Sequence, residues 1–134
     1  MKSAGLERHP KLWLWLTVWW MAVLFVLSTS FFSAELTKNI DFPINIRLLA
    51  HICVYLVLGV LASRAVDLNF PWKNKILITF LICILYAISD ELHQHFEPAR
   101  HGRLIDVIVD SVSAFFGIVV QRLVYQKRFV GKRT

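Results

Sequence analysis

The chain has 134 residues, of which 57% are hydrophobic and 18% charged, and its mean hydropathy is +0.57. Water-soluble domains run nearer to about 45–50% apolar and about 25% charged, so these values exclude a cytosolic enzyme, a secreted disulfide scaffold and a disordered tail. The net charge of +6 has no soluble domain to present it to nucleic acid, and it reads as basic flanks beside membrane spans.

Four uninterrupted apolar stretches predict an all-α membrane protein forming one domain over 1–134, with transmembrane helices at approximately 12–32, 48–65, 76–96 and 104–124. About 20 helical residues cross the ~30 Å hydrocarbon core, so each stretch is long enough, the second only just. The first, from Leu12 to Phe32, holds no charge. It is longer than the apolar core of a signal peptide and reads as a retained anchor. Trp13, Trp15, Trp19 and Trp20 are expected to form an aromatic belt at one interface. Asp41-Phe42-Pro43 and Asn69-Phe70-Pro71-Trp72 punctuate the connectors, because the residue before a proline is pushed away from helical angles. Only His51 and, near its end, Arg64 interrupt the second stretch. The third turns acidic in its last two turns and the fourth is acidic in its first two. Between them 97–103 forms a tight, charged turn. Cys53 and Cys83 lie inside apolar runs and read as small hydrophobes.

Alternate sides of this arrangement differ in basic residues. One side collects Lys2, Arg8, Lys11, Arg64, Lys73, Lys75, Arg122, Lys127, Arg128, Lys132 and Arg133, and the other only Lys38, Arg47, Arg100 and Arg103. This bias predicts a plasma-membrane protein with both termini cytoplasmic and the 97–103 turn outside.

The informative feature is where polar residues fall within the spans. Asp90, Glu91, His93, Gln94 and His95 end the third, and Asp106 and Asp110 begin the fourth. His51 and Tyr55 open the second, and Ser28, Thr29 and Ser30 close the first. Asp90 and Asp110 each sit about 9 Å below the outer boundary at 1.5 Å per residue, with Tyr55 at a comparable depth. Four helices are thus expected to carry polar groups to one level of one leaflet. The pairs His51/Tyr55, Asp90/Gln94 and Asp106/Asp110 are four apart, so each shares a helix face. Asp106, Asp110, Ser113 and Gly117 continue as one stripe, acidic then small; small residues admit a neighbouring helix, so the stripe faces protein.

A carboxylate at mid-span costs about 2.5–3.5 kcal/mol, less near the interface, so Asp90, Glu91, Asp106 and Asp110 need partners. Arg100, Arg103, His51, His93 and His95 are the candidates. The cluster reads either as an ion-pair network stapling the third span to the fourth, or as a pocket that uses the same pairs as its wall. In a pocket, the catalytic candidates are Glu91, Asp90, Asp110 and His51, with Glu91 the general acid/base and His51 a proton carrier or ligand. The binding candidates are Arg100, Gln94, Tyr55, Asp106, Arg103 and His93. Tyr55 is expected in the core with its hydroxyl satisfied by the acids. His93 and His95 are two apart and point to different sides. A divalent metal is a candidate cofactor, but a mixed oxygen and imidazole set does not separate Mg²⁺, Mn²⁺ and Zn²⁺.

The run Tyr86-Ala87-Ile88-Ser89-Asp90-Glu91-Leu92-His93-Gln94, with Pro98, Arg100, Asp106, Asp110 and Gly117, resembles the VanZ-like family of small membrane proteins. His51-x-x-x-Tyr55-x-x-x-Gly59 is similar to that family's second-helix signature. The resemblance covers about 28–117. The Asp-Lys pair that often precedes the family histidine is replaced by Leu49-Ala50, and Ser113 stands where a glycine is common. The resemblance implies a role in the cell envelope, and an association with reduced susceptibility to lipoglycopeptide antibiotics acting at the outer face of the membrane.

Three functions compete. One is recognition of a lipid headgroup or lipid-linked envelope intermediate in an outward-facing polar cleft, with Arg100, Arg103, Gln94 and His51 holding phosphate or sugar hydroxyls. The second is a membrane-embedded hydrolase or transferase acting on a lipid phosphate or glycan. The third is a non-catalytic subunit whose acidic stripe engages another membrane protein. No Ser-His-Asp, Walker, His-Glu-x-x-His or Cys-x-x-Cys pattern names an enzyme class. Transport is disfavoured, because no polar path continues to the other leaflet and no broken helix pair is evident.

Overall fold

The computed structural model describes residues 9–29, 46–70, 73–96 and 103–130, without the side chains of 46, 47 and 126–130. The described residues form four helices, α1 (Pro10–Ser28), α2 (Ile46–Asn69), α3 (Lys75–Phe96) and α4 (Leu104–Val130), and include no strand. Each helix contains a span long and apolar enough to cross a membrane, namely Pro10–Ser28, Leu48–Asn69, Lys75–Phe96 and Leu104–Tyr125. In lipid every backbone polar group must be satisfied within the segment, which is why apolar runs of this length become helices. Pro10 sits in the first turn of α1, where its missing N–H costs nothing. The hydroxyls of Thr17, Thr79, Ser111 and Ser113 donate to carbonyls four residues back, so their polarity is satisfied inside their own helices. Broad faces of large apolar side chains, Trp15, Leu85 and Phe116 among them, remain exposed as the surface that lipid covers.

The helix α2 is central. It packs most extensively on α4 and also touches α1 and α3. Its closest approach is to α4, where a Cβ on Gly59 would lie 2.1 Å from the Ala114 carbonyl oxygen and a Cβ on Gly117 would lie 2.1 Å from that of Leu56. The two backbones are in direct contact, and only hydrogen fits between them. Around this contact the core is Leu24, Tyr55, Leu58, Ala62, Cys83, Ala87 and Ala114.

Polar pairs fix the register. His51 meets Asp110, and Ser63 donates to Gln121 Oε1 at 2.9 Å. The two chains advance together, so α2 and α4 run parallel, whereas Tyr55 meets Asp90 while Lys75 meets Asp67, so α2 and α3 are antiparallel. One end of the bundle, here the acidic end, therefore gathers the starts of α2 and α4 and the finish of α3. The opposite end is closed by Arg122 Nη2, 2.8 Å from Asp67 Oδ1, and by Asn69 Nδ2, which donates to the Pro10 carbonyl at 2.8 Å.

Five sequence expectations need correction. The second helix does not stop at residue 65 but continues to Asn69. Arg64, expected as a flanking loop charge, is buried within it, its guanidinium 4.8 Å from the Tyr125 ring and 5.8 Å from that of Trp13; stacking on aromatic faces lets a guanidinium stay inside the packing. The first helix ends at Ser28, with Thr29 extended, not at residue 32; residues 30–32 lie outside the described part. Trp20 does not join an interfacial belt, since its indole N–H turns inward and donates to the Val54 carbonyl at 3.0 Å. The fourth helix also runs past residue 124, to Val130.

Replacing Gly59 or Gly117 by alanine sets a helix-propensity gain of up to about 1 kcal/mol against overpacking of about 1–3 kcal/mol or more. The obstructing atoms are backbone, so the clash wins. Gly59→Ala and Gly117→Ala are each expected to lower the melting temperature of the detergent-purified protein, and an unchanged melting curve would contradict the contact.

Candidate functional site

At the acidic end, residues from three helices form one polar cluster. His51 Nδ1 lies 2.8 Å from Asp110 Oδ1. One turn along α2, the Tyr55 hydroxyl donates to Asp90 Oδ2 at 3.1 Å, and Gln94 Nε2, one turn along α3, donates to the same oxygen at 3.3 Å. The His51 and Tyr55 rings are parallel, 2° between planes and 6.4 Å between centroids. The helix α2 thus supplies donors on one face, and the flanking helices α3 and α4 supply the acids.

The cluster is inside the protein. Asp110 and Tyr55 are 0% and 1% exposed, Gln94 1% and Asp90 4%, and only the His51 side chain, 12% exposed, forms an accessible edge. Asp90 Oδ1 and Asp110 Oδ2 are buried with no hydrogen-bond partner among the described residues. Burying an acceptor without a donor is costly, and more so when it carries charge. Each carboxyl therefore has one oxygen held by the protein and one with capacity for a further donor.

The other sequence candidates fall around this centre. Glu91 is buried, and its Oε1 accepts the backbone N–H of Arg103, which ties the end of α3 to the entry of α4. Arg103 thus contributes its backbone, and the residue is exposed. Asp106 is buried in the first turn of α4, where a carboxylate complements the positive helix end. His93 stacks on Phe25 of α1, with ring centroids 4.2 Å apart, while His95 is exposed, so the two histidines do point to different sides. Arg100, Ser30 and the rest of 97–102 lie outside the described residues. On α1 the residues expected at this level are Ser28, Thr29 and Ser30, of which the last lies outside the described residues. The Ser28 and Thr29 hydroxyls bond back to the Phe25 and Val26 carbonyls, so α1 closes the cluster with aromatic surface.

Among the described residues no three His, Cys, Asp or Glu side chains are placed to share one metal ion. The donor set is arranged as carboxyl–donor pairs, each acid facing a histidine, tyrosine or amide.

A family model described as VanZ/LLP1 matches residues 12–125, which includes all four spans and the whole cluster. The chain belongs to the VanZ/LLP1 family. No curated protein and no solved structure matches it. In this VanZ/LLP1 chain the motif His51-x-x-x-Tyr55-x-x-x-Gly59 is one face of α2 turned towards α4. The histidine pairs with Asp110, the tyrosine reaches across to Asp90, and the glycine lets the two backbones meet. The motif is therefore a packing device and a polar device at once.

Some of the surrounding residues were not singled out from sequence. The Tyr86 hydroxyl donates to the Met21 carbonyl at 2.6 Å, which with Phe25 fixes α1 against the finish of α3. No charge or spacing marked Phe25; Tyr86 opens the run that carries the family resemblance, but nothing in the sequence assigned it a partner on α1.

Removing the Tyr55 hydroxyl leaves Asp90 Oδ2 with Gln94 alone, at an expected cost of about 1–3 kcal/mol. In a double-mutant cycle, Tyr55→Phe and Asp90→Asn are expected to couple by about 0.5–3 kcal/mol in thermal or chemical unfolding. Strict additivity would mean that the two side chains do not interact.

Proposed function

We propose that the acidic end of this multi-pass membrane protein recognises a headgroup rich in hydrogen-bond donors, a sugar hydroxyl or an ammonium, on a lipid or lipid-linked envelope intermediate. The observation that carries the reading is the pair of buried oxygens, Asp90 Oδ1 and Asp110 Oδ2, that have no partner among the described residues, on carboxyls whose other oxygens are already engaged. Acceptors of this kind repel phosphate and attract O–H and N–H groups. The ligand enters past His51, the accessible edge of the cluster. Tyr55 and Gln94 hold Asp90 in place while it binds.

The reading places the protein in the plasma membrane with both termini cytoplasmic, which puts the acidic end in the outer leaflet. The excess of Lys and Arg on the side of the termini supports this orientation. Capture of an envelope lipid at the outer face is also where a link to lipoglycopeptide susceptibility would act. A C-terminal green fluorescent protein fusion is expected to fluoresce and a C-terminal alkaline phosphatase fusion to stay inactive; the reverse pattern would turn the acidic end to the cytoplasm.

The His51–Asp110 contact favours a second reading, a membrane-embedded hydrolase or transferase. A carboxylate accepting from Nδ1–H fixes the imidazole tautomer and makes Nε2 the basic nitrogen, the arrangement a general base needs.

Native mass spectrometry of the protein with its co-purified lipids tests both. A charge-assisted hydrogen bond is worth about 1.5–3 kcal/mol, so Asp110→Asn or Asp90→Asn is expected to weaken retention of the headgroup ligand by about tenfold to a hundredfold. Equal retention by the wild-type and both variants would overturn headgroup recognition. Conversion of the retained lipid by the wild-type protein, lost in His51→Gln, would favour the enzyme.

A further inference from the structure

The opposite end of the bundle holds a groove that the acidic cluster does not touch. It lies between the start of α3 and the later turns of α4 and is an open surface groove of about 670 Å³. Its floor is apolar, with Ile76, Phe80 and Phe115, and its rim carries Lys73, Lys75 and Arg122. The Phe80 and Phe115 rings meet edge to face at 5.5 Å, so the floor is a continuous surface across the two helices.

The rim is arranged and cationic. Lys75 Nζ donates to the Asp67 carbonyl at 2.7 Å, and Arg122 Nη2 lies 2.8 Å from Asp67 Oδ1. Asp67 neutralises one of the three cations, which leaves a surplus of two positive charges. Arg122 Nε is buried without a hydrogen-bond partner. Lys75 is the first residue of α3 and Phe80 lies five residues further in, about 7.5 Å deeper at 1.5 Å per residue. Cations at the helix end and aromatic rings one and a half turns below match the step from phosphate to acyl chain.

We infer that this groove is a binding site for an anionic phospholipid, its phosphate on Lys73, Lys75 and Arg122 and an acyl chain along Phe80 and Phe115. Basic pockets between transmembrane helices hold anionic headgroups in this way. A zwitterionic lipid would offer the same chain but leave the surplus charge unbalanced. The site shares no residue with the acidic end, so either assignment can fail without the other.

The test is native mass spectrometry of the full chain in mild detergent, titrated with dioleoyl phosphatidylglycerol or dioleoyl phosphatidylcholine. One Lys near an anionic surface is worth a factor of about five. Phosphatidylglycerol is expected to bind at least about fivefold more tightly than phosphatidylcholine. The variant Lys73→Gln is expected to lose about fivefold of that preference and Lys73→Arg to keep it. Lys73 is exposed in the turn before α3, so neither replacement disturbs packing. Equal binding of the two lipids, an unchanged preference in Lys73→Gln, or displacement of phosphatidylglycerol by the same concentration of glycerol 3-phosphate would each overturn the site.

Discussion

The contact on which the rest depends is the backbone-to-backbone approach of α2 and α4 at Gly59 and Gly117. Lipid tails are as apolar as leucine, so no hydrophobic force drives helices together within a bilayer; close packing and polar contacts must do so. The two glycines supply the packing. The polar contacts then form rungs along the same interface, from His51–Asp110 through Ser63–Gln121 to Asp67–Arg122. Sixteen residues of α2 separate the first rung from the last, about 24 Å of helix. A wider interface would carry His51 away from Asp110, so the geometry of the acidic end is inherited from a pair of hydrogens near the middle of the span.

That inheritance explains the division of labour in the cluster. The face of α2 that bears Gly59 also bears Tyr55 and His51, spaced by one turn each, so the helix pressed most closely between its neighbours is the one that provides the donors. Asp110 follows from the same stripe that ends in Gly117, while Asp90 and Gln94 arrive on the antiparallel α3. His51 and Tyr55 on α2 link the acids of the two flanking helices, and Gln94 supports Asp90 from one turn along α3 itself. Contacts between α1 and α3, Phe25 stacked on His93 and the Tyr86 hydroxyl on the Met21 carbonyl, hold α1 against this end of the bundle.

Much of this was legible in the sequence. Four helices followed from the lengths of apolar runs, and the protein-facing stripe Asp106, Asp110, Ser113, Gly117 followed from helical spacing; all four residues are buried. The meeting of Tyr55 with the acids followed from equal depth. What was not legible is pairing across helices. Depth places His51, Asp90 and Asp110 at one level but does not say that the histidine belongs to Asp110 and the tyrosine to Asp90, because that depends on helix rotation. Arg64 was misplaced for a related reason. A charge counts against a membrane span unless its partner is known, and its partners, Tyr125 and Trp13, lie about half a chain away in either direction. The serines and threonines at the end of α1 were overcounted, since a hydroxyl that can reach its own helix carbonyl does so.

The parallel relation of α2 and α4 has a consequence for how the protein is made. His51 and Asp110 are 59 residues apart, and the ribosome adds about 5–20 residues per second, so roughly 3–12 s of translation separate the emergence of the histidine from that of its acid. During that interval α2 and α3 are made, and with them Tyr55 and Asp90, before the helix that packs on Gly59. The order of synthesis thus delivers α2 and α3, which meet at Tyr55 and Asp90, ahead of the helix that carries Asp110 and the small-residue stripe.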